Sequence, residues 1–330
     1  MPDIIASRTS VVDSNADKGI LVLPLELISE TLKNYKKIEI HSTSDDSTPF
    51  VLPRGFSVRP GVLRALSQVC QVYREVFLPL AYESLATCLY PKSGHNIKSH
   101  HKTHRQITVS LTTYKGETAI PLFVACLAAL PNLRSIKIVH APASLMKPFR
   151  DTFKQTLAIS FPTVHTVAVR PPCHGLMFAL PEVRSVWVDW HLDATQVATS
   201  LINAGCKKVE VLKNFDLSYS MLTRLLNKTP MLRHVTLTIY DEMKYFEILK
   251  RCKRLDTIEL RMEQVYFEKK YREPTMDLPP VANTIKTCRA VLKASPSSES
   301  KFLRLVEVGP SPRAPELEEG EMSYTDIGLD

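Results

Sequence analysis

The densest group of potential ligand side chains lies between Tyr90 and His104, where His95, His100, His101 and His104 mix with Lys92, Lys98 and Lys102. Crowded imidazoles can hold a divalent ion, but His100 and His104 share a face only on a helix. This polar, aperiodic stretch with Pro91 and Gly94 does not favour one, and no Cys, Asp or Glu joins the cluster. Residues 91–104 therefore read as a solvated basic linker, with phosphate or nucleic-acid contact as the other reading. Cys173 and His174 are adjacent, yet sequence neighbours rarely face each other, and a nucleophile needs its base beside it in space. Seven cysteines are scattered with no Cys-x-x-Cys pair, which argues against a disulfide framework or a structural zinc site. Phosphate-cradling glycine loops, Gly-x-Ser-x-Gly and His-Glu-x-x-His are absent from the sequence. The residues predict no enzyme, no metal and no cofactor, so recognition is the chemistry to expect.

Composition sets the frame for that recognition. The chain has 330 residues, 44% apolar and 23% charged, within the range of ordinary globular proteins. The charge-free run from Thr118 to Leu133 is broken by Pro121 and Pro131 and is too short to span a bilayer, so no membrane association is expected. Met1 to Arg8 lacks the basic start and apolar middle of a secretory signal, which predicts a cytoplasmic or nuclear home. The net charge of +8 is uneven, because Ala314 to Asp330 carries six acidic residues and no Lys or Arg, leaving +14 on residues 1–313. Lys244, Lys250, Arg251, Lys253 and Arg254 cluster, and Lys269, Lys270 and Arg272 follow. Asp241, Glu242, Glu247 and Asp256 are interleaved, the pattern of a solvated helix face rather than a nucleic-acid stripe.

Two helical stretches organise the start of the chain. Pro24 fits the first helical position, and Leu25, Ile28 and Leu32 make a narrow apolar stripe behind it. Leu63, Leu66, Val69 with Cys70, Tyr73, and Val76 with Phe77 then share one face of a second helix, ended by Pro79. Leu-Pro-x-Glu-Leu-Ile, a Leu-x-x-Val-Cys-x-x-Tyr-Arg helix and Leu80 to Leu85 resemble the F-box motif, especially its fungal form, over residues 20 to 88. The resemblance implies docking onto the Skp-family adaptor of a Skp-cullin-F-box ubiquitin ligase, and through it onto a cullin. Leu23, Pro24, Leu25, Ile28, Leu32, Leu66, Val69, Cys70 and Tyr73 would make the adaptor contact, and the rest of the chain would select a target protein.

Beyond the linker the sequence repeats. The form apolar-x-x-apolar-x-apolar appears as Leu133-Ile136-Ile138, Val164-Val167-Val169, Val183-Val186-Val188, Cys206-Val209-Val211, Leu232-Val235-Leu237, Leu255-Ile258-Leu260 and Leu303-Val306-Val308. Successive first positions are 31, 19, 23, 26, 23 and 48 residues apart. Most of these spacings are close to those of leucine-rich repeats, whose core the pattern resembles. The last two apolar positions of each unit suit a strand with one buried face. Between units the period turns helical, from Leu122 to Leu130, Leu145 to Ile159, Ala194 to Ile202, Met221 to Leu226, Tyr245 to Leu249 and Val281 to Leu292. Pro131, Pro162, Pro181 and Pro230 stop helices ahead of strands. Ile107-Val109-Leu111 alternates like a strand that caps the array.

The predicted fold class is α/β. A helical F-box-like segment (19–90) precedes an irregular leucine-rich-repeat-like solenoid (105–308), a parallel sheet backed by helices. Residues 1–18 and the acidic tail 309–330 are expected to lack fixed structure, and residues 262–280 read as an insertion on the rim. Side chains between the apolar positions would project from the open face of the sheet and offer Lys137, Trp187, Asp189, Glu210, Thr236, Thr238, Glu259 and Arg261 to a target. Trp187 reads either as a binding anchor or as a side chain packed under a neighbouring loop, and Trp190, of opposite parity, as core. Two functions follow: an adaptor-docked substrate receptor that needs no homo-oligomer, or a binding scaffold without a ligase that takes an acidic partner or nucleic acid.

Overall fold

Parallel strands joined in sequence need a crossover between each pair, and helices are the usual crossover. The chain from Gln106 to Lys213 follows that rule. The computed structural model describes residues 84–89, 104–111, 116–155, 159–188, 193–239, 244–263, 279–297, 299–308 and 322–329, with Leu63, Ser67, Gln68 and Arg74 before them. Met1–Tyr82 and Glu83–Asp330 form separate compact units. In the first, the Ser67 amide donates to the Leu63 carbonyl at 2.9 Å, one helical turn, and both residues are buried. The predicted adaptor contacts Leu23, Pro24, Leu25, Ile28, Leu32, Leu66, Val69, Cys70 and Tyr73 lie outside the described residues.

The second unit is α/β, with a mostly parallel sheet backed by helices. Its ten strands are β1 (Ser84–Leu89), β2 (Gln106–Leu111), β3 (Ser135–His140), β4 (Thr166–Val169), β5 (Ser185–Val188), β6 (Val211–Lys213), β7 (His234–Thr238), β8 (Thr257–Glu263), β9 (Phe302–Val308) and β10 (Met322–Ile327). They lie side by side in chain order. β1 to β9 are parallel, and β10 returns antiparallel to β9. The crossovers carry α1 (Gly116–Ala128), α2 (Met146–Gln155), α3 (Thr195–Ala204), α4 (Tyr219–Leu226), α5 (Lys244–Glu247) and α6 (Pro279–Ala294). A 3-10 helix, Pro171–Ala179, takes that place between β4 and β5, and another, Ile248–Arg251, prolongs α5.

Register comes from hydrogen bonds set just ahead of the strands. The Arg105 carbonyl accepts the amides of Arg134 and Ser135, that of Arg134 those of His165 and Thr166, and that of His165 those of Arg184 and Ser185. Arg184, Glu210 and Arg233 repeat the arrangement for the strands that follow. The shared register puts Ile107, Ile136, Val167, Val186, Leu212, Val235, Ile258 and Leu303 in one row across the sheet. Each of these residues is at most 1% exposed and joins a continuous core with helix residues such as Phe123, Phe149, Val197, Leu225 and Val281. Burying one such Leu or Ile side chain contributes roughly 1.5–3 kcal/mol, so the row is a main source of cohesion.

Local chemistry ends the helices where the repeat requires. Gly205, at φ 68°, caps α3 in the left-handed region that glycine tolerates. Ser218 caps α4 by accepting the Met221 amide. Pro131, Pro162, Pro181 and Pro230 all sit in turns ahead of strands. No helix among the described residues is long and apolar enough to cross a membrane.

Several sequence expectations need correction. Pairing sets Leu212 opposite Val186 and Val235, so the β6 unit starts at Val209 and not at Cys206. Leu303 pairs with Ile258 and Leu305 with Leu260, which displaces the expected Leu303-Val306-Val308 by one unit position. Residues 84–89, expected in the helical segment 19–90, form β1 and pair with β2. The tail 309–330 contributes β10, because Met322 to Ile327 finds a free edge on β9. His104, assigned to the solvated linker, is only 5% exposed. It stands three residues before Ile107, the position that Leu133 holds ahead of Ile136.

The 3-10 helix Pro171–Ala179 packs so tightly on α2 that a Cβ on Gly175 would lie 2.7 Å from the Arg150 Cα and the Phe149 oxygen. Backbone cannot yield as a flexible side chain does. Gly175→Ala should therefore destabilise the fold by roughly 1–3 kcal/mol, read as a lower urea midpoint with an unchanged slope.

Candidate functional site

The face of the sheet opposite the core is built from two rows of side chains. Nearer the strand starts are Gln106, Ser135, Thr166, Ser185, Val211, His234, Thr257 and Phe302. One step along are Thr108, Lys137, Ala168, Trp187, Lys213, Thr236, Glu259 and Arg304. Trp187 is 43% exposed. Its indole Nε1 donates to Ser185 Oγ at 2.7 Å, and Lys213 Nζ stands 5.0 Å from the ring centroid. A cation over an indole at such a half-open site contributes about 0.5–1 kcal/mol.

Lys213 is held from its other side by Glu259, with Nζ 3.1 Å from Oε2 and 3.3 Å from Oε1. The same carboxylate accepts the Thr236 hydroxyl at 2.7 Å and lies 3.2 Å from His234 Nε2. Burial of Glu259 alone would raise its pKa. The hydrogen bond and charge of His234, then Thr236 and Lys213, outweigh that and hold it at about 2. So acidic a carboxyl is a poor general base. Glu259 positions Lys213, and through it the indole.

Arg261, 3% exposed, donates from Nη1 to Asn214 Oδ1 at 3.2 Å. Asn214 has a φ of 60°, a left-handed conformation in which asparagine is enriched, and it follows directly on the three-residue strand β6. Arg304 on β9 faces Glu259 in register and donates two hydrogen bonds to Asp326 on β10, at 2.6 and 3.2 Å.

The structure thus gathers Trp187, Thr236, Glu259 and Arg261, with Thr238 half-buried beside Arg261 in register. Lys137 sits on the same face two strands from Trp187, with Ala168 between them. Glu210 is not on that face. It lies ahead of β6, 3.7 Å from Arg184, where its carbonyl serves the next strand. Asp189 and Trp190 fall outside the described residues. Sequence reasoning missed Lys213 and Arg304, because the wrong apolar residues set the phase of β6 and β9. Spacing alone does not separate the two phases, because Cys206 stands 23 residues after Val183 and Val209 stands 23 before Leu232.

Cys173 and His174 do not face each other as a reactive pair. Cys173 is fully buried, which pushes its thiol pKa upward. His174 Nδ1 shares a 2.7 Å hydrogen bond with Ser200 Oγ on α3, and burial, then Arg150, lowers its pKa.

No known family's sequence profile matches the chain, and no curated protein matches it. Among solved structures, a structural-genomics target protein from Bacteroides fragilis is similar at 11% identity and a TM-score of 0.31, over 53% of this chain. The chain spans 65% of that protein's length.

The Glu259 contacts have a measurable signature. Its carboxyl is depressed in the folded state from 4.5 to about 2, so its contribution is complete above pH 4.5 and is lost as the pH falls toward 2. Glu259→Gln should lower stability at pH 7 and flatten the acid limb of a stability–pH curve measured by urea denaturation.

Proposed function

We propose that this chain is the substrate-recognition subunit of a Skp-cullin-F-box ubiquitin ligase. The F-box-like sequence spans residues 20 to 88, and its part ahead of β1 docks the adaptor. The sheet from β1 onward, an irregular leucine-rich-repeat-like solenoid, holds the target. The observation that carries the second half of this reading is Trp187, a half-exposed indole in a polar row with its cation fixed by a buried carboxylate. Large aromatics anchored in this way dominate binding energy at protein interfaces. The first half is supported by the apolar stripes of Leu23, Ile28, Leu66, Val69 and Tyr73, each worth roughly 1.5–3 kcal/mol if fully buried against a partner.

The uneven charge of the chain supports a second reading, a scaffold without a ligase that binds polyanions. Its binding would weaken steeply as salt is raised.

Affinity purification of the full chain should recover a Skp-family adaptor and a cullin, and Ile28→Asp with Val69→Asp should abolish both while leaving thermal unfolding of the sheet unit unchanged. Undiminished adaptor recovery by the double variant would remove the ligase reading. Failure of the unaltered chain to recover an adaptor, with salt-sensitive binding to heparin, would favour the scaffold.

A further inference from the structure

The row Lys137–Ala168–Trp187–Lys213 crosses four adjacent strands in register. Neighbouring strands lie about 4.8 Å apart, so Lys137 and Trp187 are separated by roughly 10 Å, with only a methyl group between them. The residues flanking that gap toward the strand starts are Ser135, Thr166 and Ser185, which are small and polar. Lys213 is committed to Glu259 and the indole, whereas exposed Lys137 has no ion-pair partner among the described residues. At the rim ahead of β2 and β3, Arg105 and Arg134 are likewise exposed, and no carboxylate among the described residues pairs with either. Among the described residues, Glu182 and Glu210, which lie ahead of β5 and β6, are both engaged, Glu182 with Lys208 and Glu210 with Arg184.

We infer that this part of the face takes an acidic segment of a protein partner, with a large apolar side chain lying over Ala168 against Trp187 and an Asp or Glu two positions along reaching Lys137. In an extended peptide, side chains two positions apart are on the same side and about 6.8 Å from each other, which lies between the step of about 4.8 Å from Ala168 to Lys137 and the roughly 10 Å from Trp187 to Lys137. Charge complementarity supplies the sign. Three unpaired cations lie on or ahead of β2 and β3, and burial of the ring beside Ala168 supplies the anchor. The inference deepens the reading of this face as target-binding and rests on it.

The test uses the full chain and short fluorescein-labelled Gly/Ser peptides bearing Phe and Asp two positions apart, read by fluorescence anisotropy. The Phe–Asp peptide should bind more tightly than versions with Asn for Asp or Ala for Phe. Trp187→Ala should weaken it about tenfold, the scale of an interface anchor. Lys137→Glu should weaken it about fivefold and reverse the preference toward a peptide with Lys in place of Asp. Ala168→Arg, which fills the gap without touching the indole's own contacts, should abolish binding. Equal binding of the Asp and Asn peptides, unchanged affinity in all three variants, or binding only to a phosphoserine version would overturn the inference. Adaptor recovery is measured on the same variants. Lost peptide preference with adaptor recovered defeats this inference alone, and peptide binding with no adaptor recovered defeats the ligase reading alone.

Discussion

Everything in the sheet unit depends on one carbonyl per repeat that accepts two amides from the unit that follows. A parallel strand has no hairpin to set its register, and a slip of one residue would turn every core side chain outward. The doubled acceptors at Arg105, Arg134, His165, Arg184, Glu210 and Arg233 fix the phase before each strand begins. Core and open face then follow together: two or more buried aliphatic residues on most strands on one side, and a straight row of Lys137, Ala168, Trp187, Lys213, Thr236 and Glu259 on the other.

That alignment explains why a buried carboxylate is tolerated on the open side. Glu259 is surrounded by groups from β6 and β7 that satisfy it, so its charge is compensated where it stands. The compensation also stiffens the face, because Lys213 cannot swing away from the indole without leaving the carboxylate short of a partner. A rigid aromatic loses little freedom when something packs against it.

Much of the sheet unit was legible in the sequence, since period-2 and period-3.6 patterns report which face of an element is buried. The helices near Leu122, Leu145, Ala194, Met221 and Val281 appear where the pattern placed them, and so do the stopping prolines. Phase was less legible. In Val209-Glu210-Val211-Leu212 two interleaved apolar readings exist, and only pairing with Val186 and Val235 separates them. The 3-10 helix Pro171–Ala179 carries no helical period and depends on Gly175 and its tight approach to α2, a tertiary cause that no window of sequence contains. β10 was hidden because an acidic composition suggested solvation, whereas Asp326 has Arg304 as a cross-strand partner. On the open face, parity alone placed Trp187, Thr236, Glu259 and Arg261, while Lys213 needed the correct phase.

The reversed direction of β10 sets a boundary on how such a molecule can grow. A strand that runs the opposite way cannot receive another strand–helix unit in the same phase, so β10 closes that edge to lengthening by duplication, while units can still be placed between existing strands. Each inserted unit would move the indole and its neighbours farther from one terminus while preserving their spacing from the strands beside them. The indole, its cation and the carboxylate are therefore carried as a block.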